Sequence, residues 1–385
     1  MDDSDKMTLL VCERCGSVFD ESLRWRCVCG APLGLEKSAT RYVPFDSEKR
    51  RGIWRHFDGL FPKDAIVTLG EGDTPLVERF VGGDAAWFKL DFLGPSGSYK
   101  DRGMTVLVSR LKFMRAMGLN RVVEDSSGNA GASMAAYCAA AGIACDVYVP
   151  AYTSAGKCVQ IEAYGANLVR VPGAREDATR AAEKAGGGTG AYYASHNWNP
   201  WFLHGVKTWF FETFEELPEV ENIVVPVGQG SIAIGAWLAL RELDEAGALR
   251  RTPRIFAVQS ENCAPLAGAF RLGLDAPARV DKRDTAAEGI ASAEPVRGKE
   301  VLDAVRRTGG SFVTVTEDEV WDAFYASAKA GLYIEPTSAA AVAGWKRLLA
   351  DGSVTAEEKT VVFLSGIGLK ATDKAAAHQS GSAGH

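Results

Sequence analysis

Short runs of β-branched and apolar residues alternate with amphipathic stretches from about residue 40 to residue 370. Each run is four or five residues long and is bounded by turn-forming residues, a pattern typical of strands buried on both faces. Between the runs, apolar residues recur every three or four positions, as at Met104, Leu107 and Leu111, which predicts helices with one buried face. The predicted strands are 121–124, 145–149, 168–171, 223–227, 255–258 and 361–364. This order predicts an α/β fold of parallel strands joined by crossover helices.

Composition and charge narrow the classes of function. The chain has 385 residues, of which 46% are hydrophobic and 24% charged, so it can bury a substantial core and is expected to form more than one domain. Its formal net charge is -6, with 43 basic and 49 acidic residues, which leaves no basic surplus for nucleic acid. No apolar run approaches the ~20 residues that span a bilayer, and the first residues do not form a signal-peptide pattern. We therefore expect a cytoplasmic protein that acts on a small molecule, with neither nucleic acid nor membrane as a partner.

Four of the eight cysteines lie in the first thirty residues, as the pairs Cys12 with Cys15 and Cys27 with Cys29. In a reducing compartment such a cluster is more typical of zinc than of disulfides. Tetrahedral thiolate coordination would hold together a segment that is too short to fold unaided. The second pair has one intervening residue instead of two, so a small ribbon of reduced cysteines without metal is the alternative interpretation.

A turn rich in glycine and serine, at 95–99, runs into a predicted amphipathic helix at Lys100. A lysine near a helix N-terminus is disfavoured as a cation, which promotes the neutral amine that attacks an aldehyde. The alternative is a solvated surface lysine, which is the usual environment of this residue type.

A second polar turn, Ser126–Gly131, follows directly after the predicted strand 121–124. In open α/β sheets ligands lie at the carboxyl ends of the strands, and the free amides of the following helix suit a carboxylate. The side-chain amide of Asn129 can also donate a hydrogen bond to a ring hydroxylate. An ordinary capped turn is the alternative, because serine and asparagine are common helix caps.

A glycine-rich turn, Val227–Ala233, follows the predicted strand 223–227 and opens a helix. Its glycines and free amides suit a phosphate group. Gly228, Gly230 and Ala233 also fit the dinucleotide pattern G-x-G-x-x-G/A, which leaves NAD binding as an alternative. The acidic residues about 20 positions further on fall within the predicted helix instead of at the next strand end, which counts against NAD.

The last predicted strand, 361–364, presents the hydroxyl of Ser365 at its tip. A serine hydroxyl can hydrogen-bond to a pyridine nitrogen and leave that nitrogen largely unprotonated, because a neutral group does not stabilise a pyridinium as a carboxylate does. The alternative is a serine that simply ends a strand.

Taken together, these motifs resemble the fold type II pyridoxal-phosphate enzymes, and within them the threonine synthase-like family. An aldehyde-binding lysine, a phosphate turn, a ring-hydroxyl donor and a ring-nitrogen partner are the contacts that pyridoxal phosphate needs. The resemblance extends from about Cys12 to Lys370. Besides the lysine, asparagine and serine turns, it is carried by Gly52–Arg55, Leu69–Leu76, Asn199–Thr208 and Glu335–Ala340.

The resemblance implies two open, twisted α/β domains with the cofactor in the cleft between them, and a small zinc-ribbon-like segment at the N-terminus. We expect that segment at 1–38, the larger cofactor-binding domain at 39–104 and 206–372, the smaller domain at 105–205, and a disordered tail at 373–385. Members of the family are often homodimers, although nothing in this sequence establishes the oligomeric state.

The resemblance also implies a role for each matching residue. Lys100 would form the Schiff base with the cofactor and later move protons. The other cofactor contacts would be Asn129 at the ring oxygen, Ser365 at the ring nitrogen, and Gly228, Gln229, Gly230 and Ser231 at the phosphate. The residues at the substrate would be Thr74, Ser126, Ser127, Ala130 and Lys207, and the metal ligands would be Cys12, Cys15, Cys27 and Cys29.

The chain departs from the threonine synthase pattern within Asn199–Thr208. Members of the family usually have an arginine where Phe202 stands and an acid where His204 stands. If that arginine grips the substrate phosphate bidentately, its loss removes a charge-assisted contact for which Lys157 or Lys207 would have to compensate.

The leading expectation is a carbon–oxygen lyase that converts O-phosphohomoserine and water to threonine and phosphate. The alternative in the same class is β-elimination or β-replacement on a small amino acid, as in serine or threonine dehydratases, diaminopropionate ammonia-lyases and phosphoserine-using synthases. The pair Ala130-Gly131 is similar to the dehydratases, since many synthases have Thr-Ser there. Two interpretations belong to other classes of protein. The glycine turn alone supports an NAD oxidoreductase, and the cysteines alone support a zinc-ribbon interaction protein.

Overall fold

The chain divides into two units that alternate along the sequence. The computed structural model describes residues 9–20, 24–36, 40–44, 52–57, 60–153, 155–188 and 190–382. The first unit comprises Met1–Asp73, Gly94–Ser96 and Lys100–Thr208, and the second comprises Thr74–Leu93, Gly97–Tyr99 and Trp209–His385.

The elements of both units are short strands and helices. The strands are β1 (Leu10–Val11), β2 (Val18–Phe19), β3 (Gly34–Leu35), β4 (Leu76–Val81), β5 (Asp84–Lys89), β6 (Arg121–Glu124), β7 (Ala144–Pro150), β8 (Asn167–Val171), β9 (Ala191–Tyr193), β10 (Asn222–Pro226), β11 (Arg254–Ser260), β12 (Ser311–Val315) and β13 (Thr360–Phe363). The α-helices are α1 (Lys100–Phe113), α2 (Asn129–Ala141), α3 (Ala155–Ala163), α4 (Arg175–Gly186), α5 (Pro200–Val206), α6 (Thr208–Glu216), α7 (Ser231–Glu245), α8 (Pro265–Arg271), α9 (Gly298–Arg307), α10 (Glu317–Lys329), α11 (Pro336–Ala350) and α12 (Thr372–Ser382). Short 3-10 turns occur at Ile53–His56, Asp91–Leu93, Met114–Met117, Glu288–Ile290 and Gly368–Ala371. Within the described ranges, no helix has both the length and the apolar composition needed to cross a membrane.

A parallel sheet of strand order β8-β7-β6-β9 forms the centre of the first unit. Strand β6 pairs with β7 on one side and β9 on the other, and its residues Val122 and Val123 are fully buried. The predicted parallel strands at 121–124, 145–149 and 168–171 are confirmed. A separate antiparallel ribbon of order β2-β1-β3 lies in the N-terminal part of the same unit.

The second unit is built on a sheet of strand order β12-β11-β10-β13-β5-β4. Its strands run parallel except β4, which forms an antiparallel hairpin with β5. Strand β10 is buried along its whole length, and α11 packs on the sheet so that the Trp345 ring lies 5.8 Å from that of Phe88. The predicted α/β fold of parallel strands is therefore confirmed, and β4, β5, β9 and β12 are strands that the sequence pattern missed.

The division into units differs from the predicted domains mainly over the described part of 39–73, which belongs to the first unit and not to the larger domain; 94–96, 100–104 and 206–208 differ in the same way. The physical reason is an aromatic cluster, because Trp54 and Phe61 pack against Val106 and Trp201. The predicted end of the N-terminal segment at residue 38 lies outside the described residues.

Helix α12 replaces the disordered tail that the sequence predicts for 373–385. The ring of His378 stacks on Trp321 with centroids 4.2 Å apart, and its Nδ1 lies 3.0 Å from the Tyr325 hydroxyl. These contacts with α10 order a segment whose composition carries no apolar periodicity. Residues 383–385 lie outside the described part of the chain.

Candidate active site

Lys100 is the first residue of α1 and is half-buried. The next residue, Asp101, is buried and accepts hydrogen bonds from the Ser96 amide at 2.7 Å and the Ser96 hydroxyl at 2.6 Å. It also accepts one at 2.6 Å from Ser133, one turn after Asn129 on α2. A carboxylate in the first turn of a helix is electrostatically favourable. Asp101 therefore joins the helix that begins at Lys100 to the helix that begins at Asn129.

The serine-asparagine turn forms the N-terminus of α2. Gly128 is the N-cap and forms no side-chain cap, and the N-terminus of a helix is a favourable place for an anion. Ser126 and Ala130 are buried, whereas Ser127 and Asn129 are half-buried. A Cβ at Gly131 would overlap the Ser126 carbonyl oxygen, so a glycine is needed where the turn folds back on the helix. The predicted substrate-carboxylate residues of this turn thus stand together at one helix end.

Phe202, on α5, lies beside the candidate amine. Its side chain is fully buried, and its ring centroid is 5.8 Å from Lys100 Nζ. Gly103 on α1 permits this packing, because a Cβ there would overlap the Phe202 ring. The position at which the family resemblance leads us to expect an arginine is therefore filled by an uncharged ring.

Lys207 is fully buried inside the first unit. Its Nζ donates a hydrogen bond at 2.7 Å to the Thr40 hydroxyl and lies 3.4 Å from His204 Nδ1. These contacts explain how a lysine is tolerated in the interior, but they engage the amine that the sequence predicts at the substrate. The side chain of Lys157, the other predicted substitute cation, lies outside the described residues.

Thr74 is the first residue of the second unit, and both its hydroxyl and its carbonyl form hydrogen bonds. Its hydroxyl donates to Asp91 Oδ1 at 2.7 Å, and its carbonyl accepts from Lys89 Nζ at 2.6 Å. Lys89 is fully buried and is paired with Glu212 at 3.0 Å. Since the Thr74 hydroxyl hydrogen points to Asp91, this side chain can act toward a ligand only as an acceptor.

The glycine turn forms the N-terminus of the fifteen-residue helix α7. Gly230, the N-cap, has a φ of 87°, and a Cβ there would overlap the Val301 side chain. A Cβ at Gly228 would lie 2.8 Å from the Gly289 carbonyl oxygen. Both glycines are therefore required by backbone geometry, and the uncapped helix end presents amides and the positive end of its dipole to an anion.

The side chain of Gln229 is engaged away from the turn. Its Nε2 donates to the Ser292 hydroxyl at 2.7 Å, and its Oε1 accepts from the Val296 amide at 2.9 Å. Only the backbone of Gln229 is therefore left for a phosphate, and its side chain fixes the neighbouring loop.

Ser365 follows β13 and is 1% exposed. Its hydroxyl donates to Glu335 Oε1 at 3.2 Å and lies 3.1 Å from the Ser338 hydroxyl. Glu335 precedes α11, and sequence analysis assigned no role to it. Because this hydrogen points to Glu335, the Ser365 hydroxyl can donate to an unprotonated ring nitrogen only if the hydrogen turns away from the carboxylate.

Tyr99 connects three of these motifs. Its hydroxyl lies 2.9 Å from Ser231 Oγ, and its amide donates to the Ser365 carbonyl at 3.0 Å. Because Tyr99 is joined to Lys100 by a peptide bond, their Cα atoms are about 3.8 Å apart. The chain thus reaches the candidate lysine from a residue that both the glycine turn and the serine turn hold. Taken one by one, the Lys100 amine, the N-terminus of α7 and the buried Ser365 hydroxyl are groups that suit the aldehyde, the phosphate and the ring nitrogen of pyridoxal phosphate.

A buried pair that sequence analysis missed lies near Lys100 in the first unit. His196 Nδ1 is 3.1 Å from Glu124 Oε1. Burial raises the pKa of the Glu124 carboxyl well above its ordinary value, and the neighbouring Asp125 adds to the rise. Burial, followed by the positive charges of Lys100 and Arg175, holds the pKa of His196 well below its ordinary value. His196 follows β9, a three-residue strand that was not predicted, so no motif marked this position.

The four N-terminal cysteines converge in space. Their sulfur atoms all lie within 4.8 Å of one another, and Cys12 and Cys27 are buried while Cys15 and Cys29 are exposed. Hydrogen bonds from the side chain and the backbone of Ser17 lower the pKa of the Cys15 thiol to about 6. A cluster of four thiols of this size suits a tetrahedral zinc ion.

Comparison with known proteins places the chain among enzymes that carry this cofactor. Residues 67–366 match the family described as pyridoxal-phosphate dependent enzyme. The chain belongs to this family. The pyridoxal-phosphate enzyme is 33% identical to the threonine synthase of Methanocaldococcus jannaschii, over 94% of this chain and 93% of the relative. It is 31% identical to the threonine synthase of Methanosarcina acetivorans, over 94% of this chain and 92% of the relative.

A solved structure supports the fold. The enzyme is similar to maize serine racemase with a TM-score of 0.63 and 21% identity, over 76% of this chain and 88% of the racemase. At that identity the likeness concerns the fold alone. The predicted fold type II architecture, the pyridoxal phosphate cofactor and the threonine synthase-like class of lyase are confirmed. The family also favours the phosphate interpretation of the glycine turn over the dinucleotide interpretation.

Proposed function

We propose that this enzyme converts O-phosphohomoserine and water to threonine and phosphate. The observation that carries the proposal is the 33% identity to a threonine synthase over 94% of the chain. The turns at Lys100, Asn129 and Ser231 support it, because each offers the type of group that the reaction needs. We further propose that the enzyme acts in the cytoplasm as a homodimer, which is common in the family.

In this proposal the chain's own residues hold the cofactor at four points. The amides of Gly228–Ser231 bind its phosphate, Lys100 binds its aldehyde, and Asn129 and Ser365 face the ring oxygen and the ring nitrogen. Pyridoxal phosphate, when bound, supplies a conjugated ring that accepts the electrons released at the substrate's α-carbon.

The substrate is held by its carboxylate at the N-terminus of α2, where Ser126 and Ser127 add hydroxyl donors to the helix amides. When it is not bonded to the cofactor, Lys100 Nζ would be the base that takes the α-proton of the substrate and holds it. A β-proton then leaves with the phosphate, which departs from the γ-carbon as hydrogen phosphate. Lys100 gives its proton to the γ-carbon, and water adds its hydroxyl to the β-carbon and its hydrogen to the α-carbon. Phe202 and the buried Ala130 exclude water from the region next to the amine until that step.

The proposal is tested with Lys100→Ala and a matched variant, Lys112→Ala, on the same helix. We expect the first to abolish release of phosphate and threonine, because it removes the amine, and the second to keep the wild-type rate. Borohydride should leave a reduced adduct on Lys100 in the wild type. A Lys100→Ala protein that retains most of its activity contradicts the assignment.

A second candidate function is β-elimination or β-replacement on an unphosphorylated small amino acid. One observation favours it: the residue facing Lys100 is the uncharged Phe202, and the amine of Lys207 is engaged by Thr40. A substrate phosphate gains most of its binding energy from charge-assisted hydrogen bonds. Measuring phosphate, ammonia and threonine across a panel of amino acids distinguishes the two candidates, since ammonia with a 2-oxo acid is the product of elimination.

We also propose that Cys12, Cys15, Cys27 and Cys29 hold one structural zinc ion. The convergence of their sulfur atoms supports this role. Zinc would stabilise the ribbon in place of a hydrophobic core, as in other small cysteine-rich segments.

A further inference from the structure

The pair of His196 and Glu124 occupies a defined position relative to Lys100. His196 lies in the connection between β9 and α5 and is 7% exposed, and Glu124 at the end of β6 is fully buried. The His196 ring meets the Phe202 ring edge-on with centroids 5.4 Å apart, and the Phe202 ring lies 5.8 Å from Lys100 Nζ. The His196 imidazole and the Lys100 amine therefore both lie beside the Phe202 ring.

The contact between the two residues determines which ring nitrogen of His196 carries hydrogen. Glu124 Oε1 lies 3.1 Å from Nδ1, and among the described residues Oε2 has no hydrogen-bond partner. A buried carboxylate with so little solvation is costly, so the neutral acid is favoured, as the raised pKa of Glu124 also indicates. The acid then donates to Nδ1, and a neutral imidazole carries its hydrogen on Nε2.

The charged groups around His196 keep it neutral. Lys100 on α1 and Arg175 on α4 are positive and disfavour an imidazolium, and burial acts in the same direction. Asp125, next to Glu124, is the nearby negative group, and it disfavours ionisation of Glu124. Within the described ranges, no hydrogen bond or ion pair involves Nε2 of His196.

We propose that His196 is a catalytic residue, whose Nε2–H donates a hydrogen bond to the oxygen substituent on the β- or γ-carbon of the bound amino acid. This inference rests on the proposed function, in either of its two forms. The bond from carbon to that oxygen breaks with both electrons going to the oxygen. The replacing pair comes from the α-C–H bond that Lys100 opens when the oxygen is on the β-carbon, and from the β-C–H bond when it is on the γ-carbon. The donor stabilises the charge that develops on the leaving oxygen and transfers no proton of its own.

The first test compares His196→Leu with His196→Asn, in which the amide keeps an N–H donor. Removing a donor aimed at a developing oxyanion costs about 100-fold or more in kcat. We expect kcat of His196→Leu to fall about 100-fold, with little change in KM or in cofactor affinity. The kcat of His196→Asn should fall less, because its amide still donates. His378→Asn, on α12 and stacked on Trp321, is the matched control and should keep the wild-type rate.

The second test concerns Glu124 and separates hydrogen bonding from packing. Glu124→Gln keeps an N–H that donates to Nδ1, so it should preserve most of the activity, whereas Glu124→Leu removes the donor and should behave as His196→Leu does. An unchanged kcat in His196→Leu, or equal activity of the two Glu124 variants, overturns the inference.

A third measurement needs neither cofactor nor substrate. In protein with ¹⁵N-labelled histidine, the signal that is lost in His196→Asn identifies His196. We expect a hydrogen on Nε2, none on Nδ1, and no protonation as the pH falls through the ordinary histidine pKa of about 6.5. A hydrogen on Nδ1 overturns the inference. A wild-type protein that turns over no oxygen-substituted amino acid would instead contradict the proposed function, and the ¹⁵N result would remain valid.

Discussion

The hydroxyl of Tyr99 lies 2.9 Å from Ser231 Oγ, so the residue directly before Lys100 is bonded to the first turn of α7. The Tyr99 ring also packs against Phe363 at the end of β13, with centroids 5.7 Å apart. Tyr99 is therefore fixed, within the second unit, to the two turns that would hold the cofactor phosphate and ring nitrogen.

Tyr99→Phe removes this hydrogen bond and keeps the ring. A hydrogen bond of this kind contributes about 1 kcal/mol, so we expect cofactor affinity to fall by about fivefold, with a smaller change in kcat. Titration of the apoenzyme with pyridoxal phosphate, followed by absorbance, measures the affinity. Tyr325→Phe, which removes the hydroxyl bonded to His378, is the matched control. Equal affinities for both variants would show that Tyr99 acts through its ring alone.

Gly230→Ala places a side chain where the backbone has a φ of 87° and where Val301 already occupies the space. Gly247→Ala is the matched control, because its φ is 67° and no atom lies within 4 Å of the added carbon. The strain at φ above zero costs about 1 kcal/mol at either position, so only Gly230→Ala should also disrupt the helix end. We expect a large loss of cofactor binding in Gly230→Ala and none in Gly247→Ala. Calorimetry with and without pyridoxal phosphate checks both.

The sequence predicts the centre of the fold better than its edges. The strands β6, β10 and β13 lie in the middle of their sheets and are apolar on both faces, so their runs are visible in the sequence. The edge strand β9 is only three residues long, and the edge strand β12 is only half-buried over most of its length. Strand β5 lies inside its sheet but begins at Asp84 and ends at Lys89, so its apolar run is short.

The same reasoning explains which site residues were missed. Lys100 and the glycine turn stand in motifs, whereas His196 follows the unpredicted β9 and pairs with Glu124, 72 positions away. Glu335 acts on Ser365 across 30 positions. Such contacts depend on how strands and helices pack, and local spacing carries no signal for them.

The stability of the protein should depend on pH through His196. Its folded pKa lies well below the ordinary 6.5, so below about pH 6.5 the unfolded chain binds a proton here that the folded chain does not. The free energy of unfolding should therefore fall as the pH drops below about 6.5, by at most about 1.4 kcal/mol per pH unit. Urea unfolding between about pH 5 and 7 should show a smaller slope for His196→Asn than for the wild type. The control His378→Asn should keep the wild-type slope, and an unchanged slope in His196→Asn would contradict the neutral assignment.

Titration of Glu124 changes the free energy of unfolding with pH in the opposite direction. Its folded pKa is raised above the ordinary 4.5, so above that pH the folded chain retains a proton that the unfolded chain has lost. Its contribution to stability therefore declines as the pH rises from about 4.5 through the folded pKa. Glu124→Gln cannot ionise and should remove this decline, which the same unfolding series measures.

Phe202→Arg tests whether the missing cation determines substrate preference. An arginine at this position can bind a phosphate bidentately, so we expect the ratio of kcat/KM for phosphorylated over unphosphorylated homoserine to rise. Because Phe202 is fully buried and packs against Gly103, the substitution should also lower the unfolding temperature. Phe202→Leu is the control for lost packing, and it should lower stability without raising the ratio. If this kcat/KM ratio is the same in both variants, the residue at position 202 does not determine substrate preference.

Removing the proposed zinc should affect more than the ribbon. Trp25, two residues before Cys27, packs edge-on against Tyr193 at 4.8 Å and against Trp198 at 5.1 Å, and these two residues flank His196. We expect about one zinc per chain by elemental analysis, and its loss in Cys27→Ser with a lower unfolding temperature and altered tryptophan fluorescence. Cys263→Ser, a buried cysteine outside the ribbon, should keep the metal.

The zinc can also affect activity through Trp25. If Cys27→Ser lowers kcat, then Trp25→Ala in the zinc-loaded enzyme should lower it as well, because this variant breaks the same contact between the ribbon and the connection that carries His196. Full activity in both variants would confine the role of the cysteines to the ribbon itself.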